Sequence, residues 1–136
     1  NGKAAWKEIP YYYHCSDIFA TASKSETQGL TVIEAMASEK TPLCIKDDSF
    51  LGTITNELNG LIFETEEEYI RHVITLYENN DLLKYYNKQA RIQAERCSST
   101  SYAKKVLEVY NRAIMDKANE NRFSLLSKLY KKIKGE

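Results

Sequence analysis

The sequence predicts an α/β domain of short parallel strands and helices, followed by a helical C-terminal extension. Three observations carry this expectation. Ile18–Thr21, residues 42–45 and Leu61–Phe63 are brief apolar runs of the kind buried in a parallel sheet. Between the first two lies Ser25-Glu26-Thr27-Gln28-Gly29-Leu30-Thr31-Val32-Ile33-Glu34-Ala35-Met36-Ala37, which reads as polar loop, glycine and apolar helix. Beyond residue 64 the pattern is helical.

The elements follow in order. Pro10 suits the first turn of a helix over 11–15, whose tyrosine-rich face is expected to pack rather than to stack a ligand. After the first strand, a helix is expected to start near Gly29. Asn59-Gly60 marks the turn before the third strand. Thr65-Glu66-Glu67-Glu68 opens the next helix. Thr65 can cap it, Glu68 can complete a capping box, and the acidic turn suits the helix dipole. That charge run is therefore a helix start and not a metal site. Tyr69, Val73, Leu76 and Tyr77 form its apolar face, and Asn79-Asn80-Asp81 ends it. Helices over 82–95 and 102–117 complete the core of the pattern, the second bearing Val106, Val109, Tyr110 and Ala113 at helical spacing. Ser98-Ser99-Thr100-Ser101 supplies its N-cap.

Composition narrows the function classes. At 136 residues the chain is one domain at most, large enough for a proper core. Lys plus Arg equals Asp plus Glu, 19 each, so no global field argues for nucleic acid. No apolar run approaches a membrane span, and no secretory signal is visible. Cys15, Cys44 and Cys97 are scattered, odd in number and without metal-type spacing, which fits a reducing cytoplasmic setting. Cys15 and Cys44 lie in apolar contexts, where cysteine acts as a small hydrophobe. His14 and His72 read as structural or exposed.

The segment around Gly29 carries the chemistry. Glu26 and Glu34 sit eight residues apart, flanking the glycine. A helix starting there aims the free N–H groups of Gly29, Leu30 and Thr31, and the positive end of its dipole, at an anionic ligand. At helical spacing Leu30, Glu34 and Ala37 share one stripe, with Ile33 beside it. Glu34 then sits among apolar neighbours, where an unpaired carboxylate is costly. Sugar hydroxyls would satisfy it, since a carboxylate accepts two at once. A lysine partner would serve a purely structural domain equally well, and a loop glutamate such as Glu26 is ordinarily solvated.

The same stretch resembles the Glu-x7-Glu signature of family 4 retaining glycosyltransferases, which have the GT-B fold. The likeness extends over about residues 6–115. It includes the Trp6-Lys7-Glu8-Ile9-Pro10-Tyr11-Tyr12-Tyr13-His14-Cys15-Ser16-Asp17-Ile18-Phe19 lead-in, the strand Thr41-Pro42-Leu43-Cys44-Ile45 and the turn Asn56-Glu57-Leu58-Asn59-Gly60-Leu61-Ile62-Phe63. The variant Ser-Glu-Thr-Gln-Gly-Leu-Thr is similar to that of bacterial enzymes that glucosylate diacylglycerol. The resemblance implies a partial Rossmann-like C-terminal domain that binds a nucleotide-sugar donor, UDP-glucose above all. Glu26 would contact the donor sugar near the reacting carbon, as the catalytic residue of this segment. Gly29, Leu30 and Thr31 would hold sugar or diphosphate through backbone N–H groups, and Glu34 would hold the ribose. The implied reaction is transfer with retention to a lipid or polysaccharide acceptor, with no cofactor and no obligatory metal.

Three departures stand out. Gln28 replaces a common aromatic residue. Ser38-Glu39-Lys40 stands where a glycine usually follows the signature helix. The stretch from Lys46 to Gly52 replaces a glycine-rich turn. The basic residues that neutralise the leaving diphosphate, and the acceptor-binding domain, belong upstream in the family. The chain, which opens at Asn1-Gly2, therefore reads as a fragment: 1–118 as the distal donor-binding domain and 119–136 as a basic amphipathic tail. Alone it is expected to be inactive, with an unpaired strand edge that favours dimers or swapping.

In the tail, Arg122, Lys128, Lys131, Lys132 and Lys134 accompany Phe123, Leu126, Leu129, Tyr130 and Ile133. This pattern suits an anionic membrane surface at the inner face of the membrane; the alternatives are a helix that packs on the N-terminal domain, as the resemblance to GT-B enzymes implies, and a solvated helix edge. The rival to a transferase is a non-catalytic α/β nucleotide-binding or interaction module.

Overall fold

A computed structural model of the protein describes residues 4–27 and 29–134. Gln28, Asn1 and Gly2 lie outside these, as do the side chains of Lys128, Lys131, Lys132, Ile133 and Lys134. The chain divides after Cys97 into two compact units.

The first unit opens with a 3₁₀ turn, Trp6–Glu8, and the short helix α1, Ile9–His14, with Pro10 in its first turn. Strand β1 (Ile18–Thr21), helix α2 (Leu30–Ala37) and strand β2 (Thr41–Ile45) then form a βαβ unit. Parallel neighbours need such a crossover, because a tight hairpin can join only antiparallel strands. Strand β3 (Leu61–Phe63) completes a parallel sheet of order β1-β2-β3. Ile18 pairs with Thr41 and Leu43 with Leu61, which sets the register. Helices α3 (Glu66–Glu78) and α4 (Asn80–Arg96) follow.

The sheet separates two apolar cores. Side chains alternate along β2, so Cys44 joins Val32, Met36, Phe50, Ile54, Ala90 and Ala94, while Leu43 joins Leu61, Phe63, Leu76 and Tyr86. Helix α4 serves both cores: Tyr86 in its first half packs in the second, Ala90 and Ala94 in the first. The connection from β2 to β3 contains a 3₁₀ turn at Asp48–Phe50, capped by Asp47 through the Ser49 N–H at 2.9 Å, and an isolated bridge between Asn56 and Gly60. Asn59, buried within it, accepts from the Thr55 N–H at 2.7 Å and donates to the Thr53 carbonyl at 3.2 Å. Gly60 then passes so close to Pro42 that a Cβ would lie 2.7 Å from its Cγ.

Several sequence expectations need correction. The apolar stripe of α2 that faces the core is Val32, Ala35 and Met36, and Leu30 is 60% exposed. Leu30–Ala37 is apolar nearly all round, so periodicity could not choose the buried face; the small Ala90 and Ala94 of α4 do. Tyr77 is 88% exposed, and α3 packs through Tyr69, Val73 and Leu76. Tyr11 and Tyr12 are exposed, leaving Tyr13 as the packed tyrosine of α1. Cys15 is exposed, whereas Cys44 is buried. The cap at Thr65 forms, its Oγ1 accepting from the Glu68 N–H at 3.2 Å. The reciprocal arm reaches one residue further than a capping box, Glu68 Oε2 accepting from the Glu64 N–H at 2.8 Å. It thereby ties the helix start to the end of β3.

The second unit is one helix, α5, Ser99–Lys134. Ser98 Oγ accepts from the Ser101 N–H at 3.2 Å at its start. The helix expected over 102–117 therefore continues into the basic segment without a break. Among the described residues no helix is long and apolar enough to cross a membrane.

Candidate functional site

In a βαβ unit the connecting helix starts at the carboxyl end of the first strand, where open α/β sheets bind ligands. Thr21, Ile45 and Phe63 end the three strands there and line, with Ala22, Thr65 and Tyr69, a cleft of about 390 Å³. The loop that leaves β1 is shaped by a hydrogen bond from the Ser23 N–H to Thr21 Oγ1 at 3.2 Å. Glu26 lies half-buried in this loop.

Gly29 is the N-cap of α2 and adopts left-handed angles, φ 58° and ψ 43°. A side chain is disfavoured there by backbone conformation and by the Phe50 ring, whose Cε1 would lie 3.1 Å from an added Cβ. The Val32 and Ile33 N–H groups donate to the Gly29 carbonyl at 2.9 and 3.2 Å. The helical ladder starts with those bonds, so the amides of Gly29, Leu30 and Thr31 precede it at the positive end of the helix dipole. Leu30 and Thr31 are exposed, and Gly29 is buried.

Glu34 stands on the next turn of α2, half-buried. The partner that relieves its carboxylate is Tyr13, whose hydroxyl donates to Oε2 at 3.0 Å and is shared with the Thr31 carbonyl at 3.2 Å. Burial, then the hydrogen bond that the phenol donates to Glu34 and the charge of that carboxylate, push the Tyr13 phenol up to about 12. The Tyr13 ring packs on Phe19 of β1, centroid to centroid 5.9 Å. Tyr13 and Glu34 border a cleft of about 410 Å³, completed by Trp6, Lys7, Pro10 and Ser38.

The five residues singled out from sequence therefore fall on one loop and the first two turns of one helix. Tyr13 was missed as a polar partner, because Tyr11, Tyr12 and Tyr13 look alike in sequence and only the fold brings one of them to Glu34. Among the described residues no group of His, Cys, Asp and Glu could hold a metal ion.

Residues 2–93 match the family described as Glycosyl transferases group 1. The chain belongs to that family. The alpha-monoglucosyldiacylglycerol synthase of Acholeplasma laidlawii is 34% identical over 113 residues, 83% of this chain and 28% of that protein. The synthase of the same name from Streptococcus pneumoniae is 29% identical over 116 residues, 84% and 25% of the two chains. This group 1 chain thus spans about a quarter of the length of the curated relatives it matches. Among solved structures, it is similar to the C-terminal domain of the group 1 glycosyl transferase LpcC from Francisella tularensis, with TM-score 0.63 and 25% identity, over 70% of this chain and 50% of that one. Anabaena Alr3699/HepE, crystallised with UDP-glucose, superposes with TM-score 0.71 at 20% identity, over 82% of this chain and 31% of that one. The α/β architecture expected from sequence is accordingly that of the C-terminal domain of GT-B glycosyltransferases.

Proposed function

We propose that this segment forms part of the donor site of a hexosyltransferase that moves glucose from UDP-glucose to a diacylglycerol-type lipid with retention at the anomeric carbon. The observation that carries the reading is Glu34, a half-buried carboxylate bordering a cleft, one turn beyond a glycine-capped helix N-terminus. The nucleoside would lie in that cleft with its ribose hydroxyls on Glu34, which accepts rather than donates. The Gly29, Leu30 and Thr31 amides would hold sugar and diphosphate oxygens, adding fixed donors where negative charge grows on the leaving group. Glu26 would meet the sugar. No cofactor or metal has a role in this reading. The names of the relatives in Acholeplasma laidlawii and Streptococcus pneumoniae support this choice of acceptor class. A polysaccharide acceptor is the other outcome open to the same chemistry.

Calorimetric titration with UDP, beside Glu34→Ala, tests the site. Binding that the substitution abolishes in a folded protein supports it. Binding unaffected by the change points to a nucleotide-binding or interaction module of another kind.

We further propose that residues 1–118 are the distal part of the donor domain, with no sugar transfer by the isolated chain. Turnover by the purified 136-residue protein would refute this. Strand β1, at one edge of the described sheet, would then mediate dimers, which sedimentation at increasing concentration would reveal. Residues 119–136 would bring the protein to an anionic membrane at its cytoplasmic face. Lys131→Glu with Lys132→Glu should then release it from anionic liposomes, whereas a tail that packs on another domain would leave liposome binding unmoved.

A further inference from the structure

Glutamate has three side-chain torsions, and a carboxylate that must meet two vicinal hydroxyls loses most of that freedom on binding. In this protein part of the freedom is already gone. Tyr13 reaches from α1 across to α2 and touches it twice, at Glu34 Oε2 and at the Thr31 carbonyl, three residues earlier on the same face. Its ring is seated on Phe19, so the hydroxyl is held by the sheet and not by a mobile stem. Both residues border the same cleft.

We infer that Tyr13 is a positioning residue for nucleotide binding: it clamps Glu34 by one carboxylate oxygen and presents the other to the ribose hydroxyls. This rests on the donor-site reading above and adds a residue that reading does not require. The clamp acts before the ligand arrives, so its contribution is preorganisation of the acceptor and not a contact with the nucleotide. A tyrosine suits the task because a neutral donor holds the carboxylate without neutralising it. A lysine or arginine would compete with the ribose for the same lone pairs.

A purely architectural role, tethering α1 to α2, makes a different prediction. It would weaken all ligands alike, or none. The test is therefore ribose selectivity, measured by calorimetry with UDP and with its 2′,3′-dideoxy analogue on the wild-type chain, Tyr13→Phe, Glu34→Gln and the double variant. Phenylalanine keeps the ring on Phe19 and removes only the hydroxyl. Tyr13→Phe should weaken UDP by about 5- to 10-fold and leave the dideoxy analogue within about twofold. The double variant should bind UDP no worse than Glu34→Gln alone. Equal weakening of both nucleotides, or unchanged UDP affinity in Tyr13→Phe while Glu34→Gln is impaired, overturns the positioning role and spares the donor site. UDP binding that Glu34→Gln leaves unchanged overturns the donor site, and the clamp with it. If Tyr13→Phe lowers the melting temperature markedly, the titrations are run at a temperature where circular dichroism shows the variant folded, and the ratio of UDP to dideoxy affinity is read in the same way.

Discussion

The Phe50 ring leaves no room for a side chain at Gly29: a Cβ there would stand 3.1 Å from Cε1 and 3.2 Å from Cδ1 of the ring. The residue that opens α2 is thus locked by the loop that follows β2, on a different stretch of chain. Gly29→Ala must both occupy a left-handed conformation and displace a buried ring. It should cost about 1–3 kcal/mol in urea denaturation. Phe50→Ala removes the ring and leaves a void in the core, with a loss of about 3–5 kcal/mol. The two effects should not add, because Phe50→Ala removes the obstacle that an alanine at position 29 would meet.

Glu39 explains how α2 ends without the glycine usual there. It takes φ 59°, and the Lys40 N–H donates to the Ala35 carbonyl at 3.0 Å while the Glu39 N–H donates to that of Met36 at 3.1 Å. Those two bonds make a Schellman cap, which prefers glycine at the left-handed position. Glu39→Gly should therefore stabilise the protein by about 1 kcal/mol, read as a raised melting temperature with no change in nucleotide affinity.

Asn87 joins α4 to the sheet. Its Oδ1 accepts from the Thr41 N–H at 2.8 Å and from Thr41 Oγ1 at 2.6 Å, and Thr41 is fully buried. Asn87→Ala leaves two buried donors without that acceptor. A loss of about 2–3 kcal/mol is expected by denaturant unfolding, and Asn87→Asp should recover part of it.

Tyr13 supplies a pH signature. Its phenol is raised from 10.0 to about 12 by burial and by Glu34, so the neutral form is the one the fold favours. The matching stabilisation is complete below pH 10 and is lost as the pH rises toward 12. The Cys44 thiol, pushed from 9.0 up to about 12 by burial, loses its own contribution over an overlapping range that begins at pH 9, so the decisive quantity is a difference between variants. Tyr13→Phe should show a shallower fall in stability than the wild type over that range. Glu34→Gln should bring the late tyrosinate absorbance step toward the ordinary value.

The local elements were determined by the sequence itself. Ile18–Thr21 and Leu61–Phe63 emerge with the expected bounds, because short apolar runs bordered by turn residues have few alternatives. Thr65 caps α3 as its hydroxyl requires, and the Gly29 start of α2 is legible because glycine before an apolar helical run marks a boundary. Glu26, Gly29, Leu30, Thr31 and Glu34 could be named for the same reason: they are near neighbours in the chain, and one helix sets their geometry. What the tertiary structure alone decided are the contacts between distant segments. Which face of α2 is buried depends on α4, and Glu34 finds Tyr13, 21 residues earlier. Gly29 meets Phe50, and Asn87 finds Thr41 across 46 residues. Propensity and periodicity act over a few residues, whereas these partners are chosen by the packing of whole elements, in which several similar side chains compete and only one reaches.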